Sequence, residues 1–190
     1  WLPWDFSLGS NQPKPMQNPK RILILGPESA GKSTLAKDLA IHFGEPWVPE
    51  FAREYLEKLE RPYQFEDLAE IGKGQVNLED QLAEKAQKFL FCDTDLRVIH
   101  IWSEHRFGKT DPWVLEEIHR RKYELILLTD TDLPWEPDPL REYPELEMRQ
   151  YFFEKYRKLA EDSGFPYLIV SGDREKRLKF SLEAIQALGI

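Results

Sequence analysis

The 190-residue chain carries 26 lysines and arginines against 34 aspartates and glutamates, a net charge of −8 at pH 7, with 41% hydrophobic and 32% charged residues. That length and composition fit one folded domain with its own core rather than a disordered chain. The acidic balance argues against a nucleic-acid binder. No apolar run approaches the ~18 residues of a membrane span. Cys92 is the one cysteine, which excludes an intrachain disulfide and zinc sites built on several thiolates and reads as a reducing, cytoplasmic setting.

Residues 1–19 (WLPWDFSLGSNQPKPMQNP) hold four prolines and show no hydrophobic period. They read as an irregular arm or linker remnant, with Trp1, Trp4 and Phe6 as the groups able to dock on a surface. From residue 20 onward the pattern is that of one domain. RILIL (21–25), ending at Gly26-Pro27, reads as a buried strand. A helix is predicted from Lys32, with Leu35, Leu39, Ala40 and Phe43 on one side and Gly44 as its stop. WVPE (47–50) is a candidate strand, and helices are predicted over 51–60 and 65–89. FLFCD (89–93) reads as a strand, followed by helices from Asp95 to Phe107 and over 112–121. YELILLTD (123–130) is a strand, and a proline- and acid-rich loop covers 129–142. A helix carries Phe152, Phe153, Tyr156, Leu159 and Ala160, PYLIV (166–170) is the last strand, and 173–188 closes the chain as a helix. Strands alternating with helices predict an α/β fold, a parallel sheet of about five strands covered on both faces.

Gly26-Pro-Glu28-Ser29-Ala30-Gly31-Lys32-Ser33 fits G-x-x-x-x-G-K-[ST] and lies between the first strand and the first helix, where a phosphate-binding P-loop belongs. Glycines let backbone N–H groups converge on phosphate oxygens, and the helix start adds partial positive charge. Lys32 is expected on the β- and γ-phosphates of a nucleoside triphosphate and the Ser33 hydroxyl on Mg²⁺, with Thr34 closing the motif.

The other candidates decide what receives a phosphoryl group. Asp93 closes an apolar strand and is placed to support Mg²⁺ or to take a proton from an attacking hydroxyl. Asp95, two residues on, reads equally as a helix N-cap. Glu50 and Glu54 are spaced to share a helix face beside Arg53. The 129–142 loop brings Asp130, Asp132, Glu136 and Asp138 together with Trp135, carboxylates for sugar hydroxyls and an indole for a flat or cationic ring. Arg141 and Arg149 follow, as mobile cations for developing phosphoryl charge. Arg120 and Arg121 fit a helix C-terminus answering its dipole. Trp47, Trp102 and Trp113 fit core positions. His42-Phe-Gly-Glu45 misses the last residue of an H-x-G-H signature, and Gly44 is explained as a helix stop.

Taken in order, LGPESAGKSTLA (25–36), WVPEFAREYLE (47–57), FCDTD (91–95), IWSEHRFG (101–108) and TDLPWEPDPLRE (131–142) resemble the nicotinamide riboside kinase domain of the NadR-type family. The resemblance implies an ATP- and Mg²⁺-dependent kinase of the 5′-hydroxyl of nicotinamide riboside, giving nicotinamide mononucleotide in NAD salvage. It implies ATP on residues 26–34, with the SGDR turn at Gly172 bordering the adenine and a mobile segment near 131–149. Glu50, Arg53, Asp95, Trp102 and Trp135 are assigned to the riboside by position, and Lys32, Asp93, Arg141 and Arg149 to catalysis. The arm at 1–19 sits where the adenylyltransferase domain of bifunctional members would attach, which suits a fragment or a stand-alone kinase. A cationic riboside suits a chain of net charge −8. Two other readings stay open: a kinase of another nucleoside or nucleoside monophosphate, and a nucleotide-sensing module without turnover.

Overall fold

The computed structural model describes residues 18–189; Trp1, Trp4 and Phe6 lie outside them. The elements run in chain order as β1 (Lys20–Leu25), α1 (Lys32–Phe43), β2 (Trp47–Val48), α2 (Phe51–Glu57), α3 (Phe65–Ala83), β3 (Phe89–Asp93), α4 (Leu96–Phe107), α5 (Pro112–Arg120), β4 (Leu125–Thr129), α6 (Leu146–Asp162), β5 (Tyr167–Val170) and α7 (Arg174–Ala187). The five strands form one sheet in the order β2-β3-β1-β4-β5, and every pairing is parallel. The predicted α/β class and strand number hold.

Side-chain alternation sorts the central strands into two apolar layers, as a sheet buried on both faces requires. Ile22 and Ile24 of β1, with Phe89, Phe91, Leu125 and Leu127, pack on Leu35 and Leu39 of α1 and Ile185 of α7. Leu23 and Leu25, with Leu90, Cys92, Ile126 and Leu128, pack on Val98 and Ile101 of α4 and Phe152 and Tyr156 of α6. A third cluster joins Ala52, Leu68, Ile71, Leu96 and Val114 where α2 to α5 meet beyond the β2 edge.

Three predicted boundaries shift, each for a local reason. The strand foreseen at 47–50 is only Trp47–Val48, because Pro49 has no N–H to continue a ladder. The helix foreseen over 65–89 stops at Ala83: the Glu45 carboxylate accepts the backbone N–H groups of Gln87, Lys88 and Phe89 at 2.9, 2.7 and 3.3 Å and holds them extended into β3. The helix foreseen to residue 60 ends at Glu57. Segment 131–149, expected to be mobile, lies against the P-loop, and its last residues form the first turn of α6.

At the amino ends of the strands, Glu79 is 1% exposed. It accepts from Arg121 Nη1 and from the Tyr123 hydroxyl, both at 3.1 Å. Arg121 also forks onto Asp80 at 3.0 and 2.8 Å. Arg121 therefore does more than answer the α5 dipole: it ties α5 to α3 through a buried ion pair.

Candidate functional site

The P-loop leaves the carboxyl end of β1, and its shape follows from its residues. Gly26 has φ 147°, and a Cβ there would stand 2.3 Å from Thr129 Oγ1 and 2.8 Å from the Thr129 carbonyl. Glycine is the one residue that lets β1 turn beside β4 at this point. Ser29 at φ 54° and Gly31 at φ 77° complete the bend. Gly31 is the N-cap of α1 and offers no capping side chain, so the first-turn N–H groups of α1 are left for an anion. The Lys32 ammonium donates to the Pro27 carbonyl at 2.7 Å.

Asp93 ends β3, opposite Ile24 of β1. It is 1% exposed, accepts a hydrogen bond from the Ser33 hydroxyl through Oδ2, and has Oδ1 buried without a partner. Burial holds its carboxyl above the usual range, against the pull of Lys32. A buried orphan acceptor beside the P-loop serine fits a cation site.

The P-loop residues 26 and 28–34, with Glu50, Arg53, Trp102 and Arg141, line one cavity of about 350 Å³. Glu50 precedes α2 and its side chain does not cap that helix. Burial pushes its carboxyl up to about 7, with Lys32 pulling down and Asp93 pushing up. A recess of about 20 Å³ shares Glu28, Leu56, Trp102 and Leu140 with the cavity and adds Tyr63, Tyr143 and Phe152. That end is aromatic, with Glu28 and Glu142 beside Arg106 and His105; the P-loop end carries Lys32, Arg174 and Arg177.

Residues 130–143 form a strap over the loop. Glu28 accepts the backbone N–H groups of Glu142 and Tyr143 at 3.0 and 3.3 Å, and burial raises its carboxyl. The Ser29 hydroxyl accepts from the Glu136 N–H at 2.9 Å. Arg53 on α2 pairs with Asp138 of the strap at 3.0 Å.

Asp95 takes the helix-cap reading, and Trp135, Arg149 and Gly172 stand outside the cavity lining. Asp95 is the N-cap of α4, accepting from the Arg97 N–H at 3.0 Å and pairing with the Arg97 guanidinium; it is buried and does not line the cavity. Trp135 also stands outside the lining, its ring 5.9 Å from the Arg141 and Arg149 guanidinium carbons. Arg149 is 4% exposed and donates to the Ser29 and Leu133 carbonyls rather than facing the cavity. Gly172 donates its N–H to Asp132, and Arg174 of the same turn is the residue that reaches the cavity wall. Tyr63, Tyr143, Tyr156 and Arg177 were missed. An isolated tyrosine or a helical arginine carries no sequence signal of the cavity it faces.

A P-loop on a five-stranded parallel sheet, with a carboxylate at the neighbouring strand end and a second carboxylate across the cavity, defines a nucleotide-binding phosphotransferase of the P-loop kinase type. A family model described as an AAA domain matches residues 21–177, and the chain belongs to that family. The resemblance to NadR-type proteins is borne out. The chain is 27% identical over 174 residues to the Trifunctional NAD biosynthesis/regulator protein NadR of Escherichia coli (strain K12), covering 89% of this chain and 42% of that protein. A crystal structure of NadR protein in complex with NAD and AMP-PNP superposes with a TM-score of 0.73 at 25% identity, over 91% of this chain and 50% of that one. A crystal structure of NadR protein in complex with NR gives 0.72 at 24% identity, over 90% and 51%. The chain thus spans about half the length or less of these relatives.

Proposed function

We propose that residues 20–190 form a kinase domain, with 1–19 as its arm, and that it transfers the γ-phosphoryl group of ATP to the 5′-hydroxyl of nicotinamide riboside in NAD metabolism. The observation that carries this reading is the polarity of one cavity. A phosphate-gripping loop forms one end, and Glu28, Glu50 and Trp102 with the neighbouring Tyr63 and Tyr143 form the other. Carboxylates and aromatic faces suit a sugar bearing a cationic pyridinium ring. The NAD-biosynthesis relative and the NadR structure in complex with NR support the same acceptor.

In this mechanism the amides of residues 28–34 and the Lys32 ammonium hold the triphosphate. Ser33 and Asp93 would hold Mg²⁺, which would offset the negative charge of the β- and γ-phosphates. Asp93, engaged with Ser33, serves the metal, and Glu50 serves as the base. As the 5′-oxygen attacks the γ-phosphorus, Glu50 takes its proton, and the bond to the β–γ bridging oxygen breaks to release ADP. Arg141 neutralises the transferring group; losing one such contact costs roughly a hundredfold in rate.

The test is ATP consumption across an acceptor panel. Nicotinamide riboside should give the highest kcat/KM, and Lys32→Ala should abolish turnover while the protein stays folded. Preference for a nucleoside monophosphate would overturn the acceptor, and triphosphate binding with no acceptor-dependent turnover would make the protein a sensing module.

A further inference from the structure

Two arginines hold carbonyls of the P-loop, Arg149 from outside the cavity lining and Arg177 from its wall. Arg149 Nη2 donates to the Ser29 carbonyl at 3.2 Å and to the Leu133 carbonyl of the strap at 3.1 Å. Arg177 Nη1 donates to the Ala30 carbonyl at 2.7 Å, Nε to the Gly172 carbonyl at 2.7 Å, and Nη2 to the Asp130 carbonyl at 3.3 Å and the Asp132 carboxylate. The two side chains are 4% and 2% exposed. The geometry points to Arg149 and Arg177 as positioning residues for phosphoryl transfer: each fixes one peptide of the P-loop and the overlying strap together, so that nucleotide in the loop and the seating of the strap are coupled.

The physical reason lies in the planar trans peptide, in which the carbonyl of one residue points opposite to the N–H of the next. No peptide bond among the described residues is cis. Holding the Ser29 and Ala30 carbonyls therefore turns the N–H groups of Ala30 and Gly31 the other way, as two consecutive donors already aimed before an anion arrives. Charge adds to geometry. Asp132 is the one carboxylate paired with Arg177, and it belongs to the strap. Arg149 has no carboxylate within ion-pair distance among the described residues, and its Nε is buried without a partner. Arg149, a buried cation with no carboxylate partner among the described residues, gains a counter-ion when a polyphosphate occupies the loop. Asp132 also accepts the Gly172 N–H, so the turn after β5 joins the same junction.

This inference rests on the nucleotide reading above, and its test uses nucleotide alone. Hydrogen exchange is followed on the whole chain with and without AMP-PNP, for wild type, R177K, R149K and D132N. In wild type, AMP-PNP should slow exchange about tenfold or more both at the P-loop amides and at the strap amides of Glu136, Glu142 and Tyr143. Lysine keeps the charge but cannot span a fork of carbonyls. R177K and R149K should therefore weaken AMP-PNP binding about tenfold and, at saturating nucleotide, lose the strap protection while loop protection persists. D132N removes the one strap charge on Arg177 and leaves its bonds to the Asp130, Ala30 and Gly172 carbonyls, so it tests the charge part of the coupling if either lysine variant fails to fold. Strap protection of wild-type size in D132N and in the folded lysine variants overturns the coupling. An absence of protection anywhere in wild type overturns the nucleotide reading and this inference with it.

Discussion

In the proposed mechanism Glu50 is the base: burial raises its carboxyl to about 7, and it lines the same cavity as Lys32. A base must be ionised to accept the hydroxyl proton, so kcat/KM should fall as pH drops through about 7. Glu50→Gln should lower kcat by roughly a hundredfold or more and remove that acidic limb. The stability consequence has the opposite sense. Between its ordinary 4.5 and about 7 the folded state holds a proton that the unfolded chain has released, so Glu50 takes stability away as pH rises through that window. Urea melts should find Glu50→Gln more stable than wild type at pH 8, with the difference gone by pH 4. A flat pH profile in wild type would remove Glu50 from proton transfer.

At the scale of elements, the strap and α2 close on one another through Arg53 and Asp138. The pair is bidentate, at 3.0 and 3.4 Å, but half open to water on the arginine side, so it contributes about 1 kcal/mol or less. Asp138 also accepts the Leu140 N–H at 2.9 Å, which sets the turn inside the strap. Asp138→Ala should raise the acceptor KM about three- to fivefold while kcat changes less than twofold. An equal loss in kcat would mean that the strap takes part in the chemical step and does not only retain the acceptor. The same element shows where sequence reading ran short. The prolines and acids of 129–142 marked a special loop correctly, yet the group expected to stack on the riboside, Trp135, turns toward Arg141 and Arg149 instead. Aromatic composition names a capacity for stacking without choosing the partner.

For the whole molecule, the two ends of the sheet do different work. The carboxyl ends carry the cavity, as parallel α/β sheets do, and the amino ends carry the Glu79–Arg121 pair. Arg121→Ala leaves the buried Glu79 with Arg21 as its remaining cation, at 3.3 Å, and should cost about 1–3 kcal/mol in chemical denaturation. Because the pair lies at the opposite strand ends, the KM for ATP should stay within twofold; a large change would show that the two ends are not independent. The net charge of −8 suits the proposed cationic acceptor, while the proposed triphosphate would rely on the local cradle and its cations Lys32, Arg174 and Arg177.

The sequence by itself determined the strand–loop–helix at residues 20–43, the Gly44 stop, the carboxylate ending β3 at Asp93 and the singling out of Glu50 and Arg53, which line the cavity. These depend on neighbours in the chain: the spacing of Gly26, Gly31, Lys32 and Ser33, an apolar run before them and a helical period after, a glycine after a helix, a carboxylate where a strand ends. Tertiary structure alone decided that Asp95 caps a helix, that Arg149 braces the loop from outside, and that Arg177 meets Ala30 across 147 positions. A guanidinium offers the same donors to a phosphate, a carboxylate or a carbonyl, and only the packing of α6 and α7 against the loop selects which one it meets.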